Sequence, residues 1–481
     1  MCSRKTEMAS LLVAILPLTA PLLAAQTSQP TQSTQARMSV DERFRQWDRN
    51  GDGKLTPDEV PGERLFKTLD QDGDGVVTKD EATAAGTRVG PNAATTTVAL
   101  PPAGNFKPRA HGDEAKAAGL KADVLAKIDV EMQRHVAAKN VAGIVATIGR
   151  NGTQGYFEPF GMQDIEANKP MPRDAIFRLM SMTKPIIAVA ALTLYDEGKF
   201  TLDEPISKHC PEWAEPKVLE SGRLVPAKFA ITPRMLMSHS SGLYYGRLEG
   251  STGDAAAIAF RATQGKNTTL KEFSEALAKE PLKFQPGTGY QYGHSIDILG
   301  RYIEAVAGKP IDQVLQAKVF DPLGMVDTGF WVPAEKAGRL CQVYRQPRPG
   351  VLEPGRDARR LTEKPSLMMG GHGLSGTAED YARFCQMLLN RGEFGGKRVL
   401  KPETVDLMFE NQLKDIGQRY GLGGMVDGEG RYAWGGADGT QFWIDRKNNL
   451  FAVFMVQTQR YRSPVYNDFR RLAAAAIMEE R

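Results

Sequence analysis

A run that is apolar on every side limits what this chain can become. Ile186-Ile187-Ala188-Val189-Ala190-Ala191-Leu192-Thr193-Leu194 offers no polar face, which is the pattern of a helix enclosed by protein rather than laid on a surface. Enclosing such a helix takes a large domain, and 481 residues suffice for one large domain plus a small one. Just before the run stand Phe177 to Pro185. Proline is tolerated in a first helical turn, so the helix is predicted to begin near Ser181. Ser181 and Lys184 are then three apart and share a face. Ser-x-x-Lys is a loose pattern that chance also supplies, yet a lysine turned toward a core needs a reason to be there. Burial lowers the pKa of an ammonium, so Lys184 can take the Ser181 proton, and the free N–H groups of the helix start can receive an oxyanion.

The amino-terminal residues 1–25 read as an export signal. Arg4 and Lys5 precede the apolar run Leu11 to Leu16, and Ala24-Ala25 offers a small-residue cleavage site, imperfect because Leu23 stands where a small residue is usual. The run is short for a membrane span and is broken by Pro17 and Pro21. The expectation is therefore an exported protein, periplasmic or extracellular, that does not span the membrane. Residues 26–37, rich in Gln, Ser and Thr, read as a disordered linker. A net charge of +4 with no long basic run gives no footprint for nucleic acid. Cys2 leaves with the signal. Cys210, Cys341 and Cys385 remain, with no metal-binding spacing; they allow one disulfide at most, or three buried free thiols.

Residues 38–86 carry two acidic loops in tandem. Asp48, Asn50, Asp52, Thr56 and Glu59 place oxygen ligands at loop positions one, three, five, nine and twelve, with Gly53 at six and the Lys54 carbonyl at seven. Asp70, Asp72, Asp74, Val76, Thr78 and Glu81 repeat the pattern around Gly75. Small oxygen-bearing side chains wrap a hard cation, the glycine makes the sharp turn, and the last glutamate binds through both oxygens. This matches the calcium loop of the EF-hand. Two calcium ions are expected, with Leu55 and Val77 pairing the loops. The close spacing resembles the compact helical EF-hand pairs of exported bacterial proteins and dockerin modules, which implies a structural role or docking to a protein partner.

Residues 87–115, with four prolines and no periodicity, read as a linker. From Leu120 to Ala138 an amphipathic helix is predicted, with Leu125, Ile128 and Met132 on one face. Gly143 to Ile148, the turn Asn151-Gly152 and Tyr156-Phe157 read as a hairpin, so the sheet is expected to be antiparallel with helices on its faces. Residues 202–345 are helical with many loops. His239, in the turn-rich run Met235 to Leu243, is read as a turn-stabilising residue. Three glycine-rich stretches follow: Phe284 to His294, Met369 to Thr377, and Tyr432 to Thr440, the last entering the strand Gln441 to Asp445.

Taken in order, Phe177 to Lys184, the Leu236-Met237-Ser238-His239-Ser240-Ser241-Gly242-Leu243 run, Pro286-Gly287-Thr288 with Tyr292, the Gly371 to Thr377 turn and Trp434-Gly435-Gly436 resemble the serine β-lactamase and penicillin-binding-protein superfamily. The most similar branch is that of class C β-lactamases, D-Ala-D-Ala carboxypeptidases and family VIII carboxylesterases. The resemblance implies an α/β fold of the α+β kind over residues 116–481: an antiparallel sheet flanked by helices, with an inserted, mostly helical region. It makes Ser181 the nucleophile, Lys184 its proton partner and Tyr292 the tyrosine of the Tyr-x-Asn motif. The N–H groups of Ser181 and Ala437 would form the oxyanion hole. A phenol beside a cation is expected to hold a lowered pKa; Tyr290 competes for the role only weakly. The chain departs from the pattern twice. His294 replaces the Asn, and Trp434 replaces the Lys that holds the substrate carboxylate, so His294, Trp434, Gly435 and Gly436 are assigned to substrate binding. Trp-Gly-Gly resembles the esterase branch. The expected activity is hydrolysis of short esters through an acyl-enzyme, without a catalytic cofactor. A β-lactamase or peptidase is the alternative, and a calcium-dependent scaffold with an inactive hydrolase fold is an alternative of another class. No Gly-x-Ser-x-Gly elbow or His-Glu-x-x-His helix is present.

Overall fold

The computed structural model describes residues 44, 47–60, 66, 69–70, 74–79, 100–246, 248, 258, 268–355, 361–459, 461 and 463–478. The chain divides into two compact units, residues 1–94 and 95–481. The expected signal and linker over 1–37, and the first part of the 87–115 linker, lie outside the described residues.

In the small unit, β1 (Lys54–Leu55) and β2 (Val77–Thr78) pair antiparallel with Leu55 opposite Val77. Both side chains are fully buried and join Phe44, Val60, Phe66 and Leu69 in a core of their own. The two apolar positions shared by the loops thus hold the loops together.

The large unit begins earlier than the sequence suggests. Residues 107–115, read above as linker, lie on the domain: Arg109 N–H and His111 Nε2 approach Asp129 Oδ2 at 2.7 and 2.9 Å, and Tyr156 Oη donates to Asp129 Oδ1 at 3.0 Å. Asp129 is fully buried, and a carboxylate without water requires such donors. The segment continues into α1 (Asp113–Ala117), where Ala115 is buried. Next comes α2 (Ala122–Ala137), which buries Leu125, Ile128 and Met132 as its pattern predicts.

A seven-stranded antiparallel sheet is built from both ends of this unit. It contains β3 (Gly143–Arg150), β4 (Thr153–Asp164) and β5 (Lys169–Pro170) from the first part. A small ladder, β6 (Phe177–Arg178) with β7 (Ser375–Gly376), stands apart from it. The later sheet strands are β8 (Met425–Val426), β9 (Arg431–Gly435), β10 (Gln441–Asp445) and β11 (Leu450–Val456). Their order is β8-β9-β10-β11-β3-β4-β5, with β11 set against β3 from Leu450–Arg150 to Val456–Ile144. Both faces are covered, so the central strands are apolar throughout. On β3, Ile144, Ala146 and Ile148 face the layer of α2 and the final helix Val465–Ala475, while Val145 faces the opposite core; this is the two-residue alternation of a strand.

At the heart of that opposite core is α3 (Thr183–Asp196), whose residues Thr183 to Leu194 are all buried. The helical region includes α4 (Ser295–Ala307), packed on α3, and α5 (Ala378–Leu389) lies on the sheet. Cys210, Cys341 and Cys385 are buried free thiols. Among the described residues no helix is long and apolar enough to cross a membrane.

Candidate active site

The β6–β7 ladder delivers the chain to the nucleophile. Leu179 N–H donates to Leu374 O at 2.9 Å, Met180 is held at φ +49°, and one 3-10 turn, Met180–Met182, leads into α3. A non-glycine residue in the left-handed region is strained, and this one re-aims the chain immediately before Ser181. The helix start near Ser181 is therefore a tight turn, with the α-helix proper beginning at Thr183.

Two groups meet at Ser181 Oγ. Tyr292 Oη donates to it at 2.7 Å, and Lys184 Nζ lies 3.2 Å away while donating to Gly371 O at 2.7 Å. Lys184 is fully buried. Burial lowers its pKa to about 8, against the opposing pull of the Asp297 carboxylate, so an appreciable neutral fraction exists near physiological pH. The expectation for Tyr292 is corrected: burial pushes its phenol up to about 12, despite the hydrogen bond with Ser181 and the nearby Trp434 indole acting the other way. Lys184 Nζ stands 4.6 Å from the centre of the Tyr292 ring, over its face rather than against its oxygen. At neutral pH the Tyr292 phenol therefore keeps its proton, while part of Lys184 is neutral.

The strand β9 closes the other side. A Cβ on Gly436 would run into Leu179 O and Thr440 Oγ1, and one on Gly435 into the Gln441 side chain. The bare Gly436 thus lets the chain after β9 lie against the turn before Ser181, which Thr440 Oγ1 also ties by donating to Leu179 O at 3.1 Å. Ala437, the residue assigned to the oxyanion hole, follows directly. Trp434 packs its ring on Tyr292 (centroids 5.5 Å apart) and on Tyr420 (5.2 Å).

His294 is placed differently from expectation. It caps α4, is buried, and turns Nδ1 to Asp297 Oδ2 at 2.8 Å. One nitrogen of the imidazole is therefore engaged inside the protein by a carboxylate. His239 has a positive φ of +56°, and its carbonyl accepts from Gln291 N–H at 2.9 Å. Its side chain, however, stabilises no turn: it is buried among the rings of Tyr290, Tyr292 and Tyr420, and neither ring nitrogen finds a partner among the described residues. Burial and the Lys184 charge push its pKa well below the usual imidazole value. Tyr290 is half-exposed beside Tyr420, and the phenol that bonds Ser181 is Tyr292. Sequence reasoning missed two contributors, Asp297 and the Gly371 carbonyl. Asp297 carried a signal, a carboxylate between isoleucines in an apolar helix start.

The first acidic loop is organised as its spacing predicts. Asp48 accepts from the N–H groups of Gly51 (2.8 Å) and Gly53 (3.0 Å), Asn50 Oδ1 from Asp52 N–H (2.9 Å), and Asp52 Oδ1 from Lys54 N–H (2.8 Å). Glu59 binds Arg49 N–H through one oxygen and Thr56 N–H and hydroxyl through the other. Gly53 and Gly75 take the positive φ that the turn demands, 80° and 87°. Asp70 and Asp74 repeat the loop bonds, to Gly75 N–H (3.2 Å) and Val76 N–H (3.0 Å). Asp72 and Glu81 lie outside the described residues. The donor set is all oxygen, as a hard cation requires.

Comparison with known proteins gives two family matches: a Beta-lactamase family model over residues 128–476, and an EF hand model over residues 40–60 and 63–81. Protein Rv1367c of Mycobacterium tuberculosis is 35% identical over 348 residues, 66% of this chain and 86% of that one. Esterase EstB of Burkholderia gladioli is 29% identical over 375 residues, 70% of this chain and 91% of its own length. Among solved structures, EstCE1, described as a hydrolase with promiscuous acyltransferase activity, superposes with a TM-score of 0.63 at 27% identity, covering 74% of this chain and 99% of that one.

Proposed function

From the premise that the chain belongs to the β-lactamase family and is a serine hydrolase, we propose that it cleaves short, uncharged esters through an acyl-enzyme on Ser181. The observation that carries the substrate class is Trp434, whose indole stands against Tyr292 at the strand position where the resemblance puts a lysine. An indole offers an apolar face and one N–H donor, with no formal charge for a carboxylate. The likeness to EstB and EstCE1, both named for ester or acyl chemistry, supports the same reading.

The proposed steps use the groups that this geometry brings together. Neutral Lys184 takes the Ser181 proton as Oγ attacks the ester carbonyl carbon, and negative charge moves to the carbonyl oxygen facing the N–H groups of Ser181 and Ala437. Collapse breaks the bond to the alkoxide, which takes the Tyr292 proton; the proton held by Lys184 restores the phenol. Water repeats the sequence in reverse and frees the acid.

Two further elements belong to the proposal. Asp48, Asn50, Asp52, Lys54 (through its carbonyl), Thr56 and Glu59 would hold one calcium ion, and Asp70, Asp72, Asp74, Val76 (through its carbonyl), Thr78 and Glu81 a second; calcium would supply cross-links that stabilise the small unit. Export rests on the pattern of residues 4–25.

The test is the relative kcat/KM for p-nitrophenyl butyrate and nitrocefin, each divided by its uncatalysed rate. A carboxylate left without its cation costs on the order of 1–3 kcal/mol, so the ester is expected to lead by at least about tenfold. A lead for nitrocefin would replace the esterase reading with a lactamase.

A further inference from the structure

Behind Lys184 and Tyr292 at Ser181 lies a fully buried carboxylate. Asp297 sits in the first turn of α4 with no exposed surface. Its Oδ2 faces His294 Nδ1 at 2.8 Å and its Oδ1 accepts from Gly371 N–H at 2.6 Å. The same residue, Gly371, gives its carbonyl to Lys184 Nζ at 2.7 Å. Helix, loop and catalytic lysine are thus linked in one line, Asp297 to Gly371 to Lys184 to Ser181. The fit is close: a Cβ on Gly371 would press on the Asp297 carboxylate, and one on Gly370 on Ile296 O. The other end of the loop is tied independently, by Leu374 N–H donating to Thr183 Oγ1 at 3.1 Å.

We propose that Asp297 is a positioning residue for acylation: its carboxylate fixes the Gly371 peptide so that the Gly371 carbonyl holds Lys184 on Ser181, and it sets a buried negative charge opposite Lys184. The proposal rests on the reading of Ser181 and Lys184 given above. The charge is maintained by its surroundings. Burial works against ionised Asp297, but the hydrogen bond from His294, with the electrostatic influence of His294, His372 and Lys184, holds its pKa below the usual carboxylate value. In return Asp297 favours the ammonium form of Lys184. The groups facing the pair include His294 from the head of α4, His372 from the Gly371 loop, Tyr292 from the segment before α4, Tyr245, whose ring lies 4.5 Å from that of His294, and His239, which burial keeps neutral.

Two variants separate position from charge. Asp297→Asn keeps the shape and deletes the charge; Gly371→Ala keeps the charge and forces the clamp apart. The probe is a fluorophosphonate, whose labelling rate at Ser181 is followed against pH in the full-length protein. The Lys184 titration is read separately by NMR of chain carrying 13C-labelled lysine, which needs no turnover. Melting curves establish that each variant is folded. For Asp297→Asn, the Lys184 titration and the acid limb of labelling are expected to move down together by about one pH unit, since an attracting charge has gone. For Gly371→Ala, the limiting labelling rate is expected to fall about tenfold, with a smaller movement of the limb, because a displaced lysine costs alignment rather than charge. A Lys184 titration unmoved in Asp297→Asn, or a limiting rate within twofold of the parent in Gly371→Ala, overturns the proposal. If Asp297→Asn does not fold, Gly371→Ala alone decides the positioning. Failure of the parent protein to label at Ser181 would sink the acyl-enzyme reading instead, while the lysine titration would still judge Asp297.

Discussion

In the small unit the candidate ligands of the first loop lie in one stretch from Asp48 to Glu59, and Asp48, Asn50, Asp52 and Glu59 each accept from a backbone N–H of that same stretch. In the large unit Ser181 and Lys184 stand one turn apart, but Tyr292, which bonds the serine hydroxyl, and the Gly371 carbonyl, which accepts from Lys184, come from segments brought to them only by the tertiary fold. The first kind of site is a property of its own loop. The second exists only when sheet, helical region and glycine turns are all in place, and its chemistry depends on how deeply they bury it. Local sites should therefore fail one ligand at a time, whereas the assembled site should fail as a unit.

The largest effects test that unity. Ser181→Ala removes the attacking atom and is expected to lower kcat/KM for p-nitrophenyl butyrate by about a thousandfold or more. Mass spectrometry of the parent after fluorophosphonate treatment should place the adduct on Ser181. Tyr292→Phe deletes the proton donor while leaving the ring that lies under Lys184 Nζ and packs against His239 and Trp434. A loss of about a hundredfold, mainly in kcat, is expected. If Tyr292→Phe and Ser181→Ala combined multiply their separate losses, the groups act independently and the contrast between the two sites dissolves.

A smaller effect reads the burial itself. Lys184 has its pKa lowered to about 8 by burial, and only its neutral form can take the Ser181 proton. The sign follows: kcat/KM should rise about tenfold per pH unit below 8 and level off above it. Phenols titrate higher, with Tyr292 pushed up to about 12, so a limb at pH 8 points to the lysine. A pH-independent rate between 6 and 9 would remove Lys184 as base.

These two kinds of site also explain what the sequence made legible. The acidic loops were legible as an EF-hand pattern because that pattern is encoded by spacing within each loop. The buried helix was legible from its lack of a polar face, and the antiparallel sheet from the hairpin that precedes it. Lys184 was legible from its spacing to Ser181 on the buried helix, but Tyr292 and Trp434 came only through resemblance, since nothing local brings them to residue 181. Properties set by depth were missed. Tyr292 was expected to ionise easily, but desolvation outweighs its neighbours. His294 was assigned to substrate, yet the buried Asp297 holds it. Residues 107–115 looked like linker because their partner, Asp129, is one buried polar residue within an apolar helix face.

The smallest expected effect on activity comes from removing calcium, and it bears most directly on the contrast. The small unit has its own core of Phe44, Leu55, Val60, Phe66, Leu69 and Val77, only a handful of side chains. A core that small rarely holds a fold alone, and where a metal site forms only on folding, the binding free energy is folding free energy. Chelation with EGTA should therefore unfold residues 38–86, seen as a lost low-temperature transition that calcium restores. Glu59→Gln, which removes one charge from the first loop, should weaken calcium binding at that loop and leave the second measurable. The large unit has extensive cores on both faces of its sheet, and none of its catalytic groups belongs to a calcium loop. Esterase activity with p-nitrophenyl butyrate should then stay within about twofold of its starting value in EGTA, at a temperature where the large unit remains folded. A larger loss, reversed by calcium, would mean that the local site helps to assemble the distributed one, and the two could no longer be treated as separate constructions.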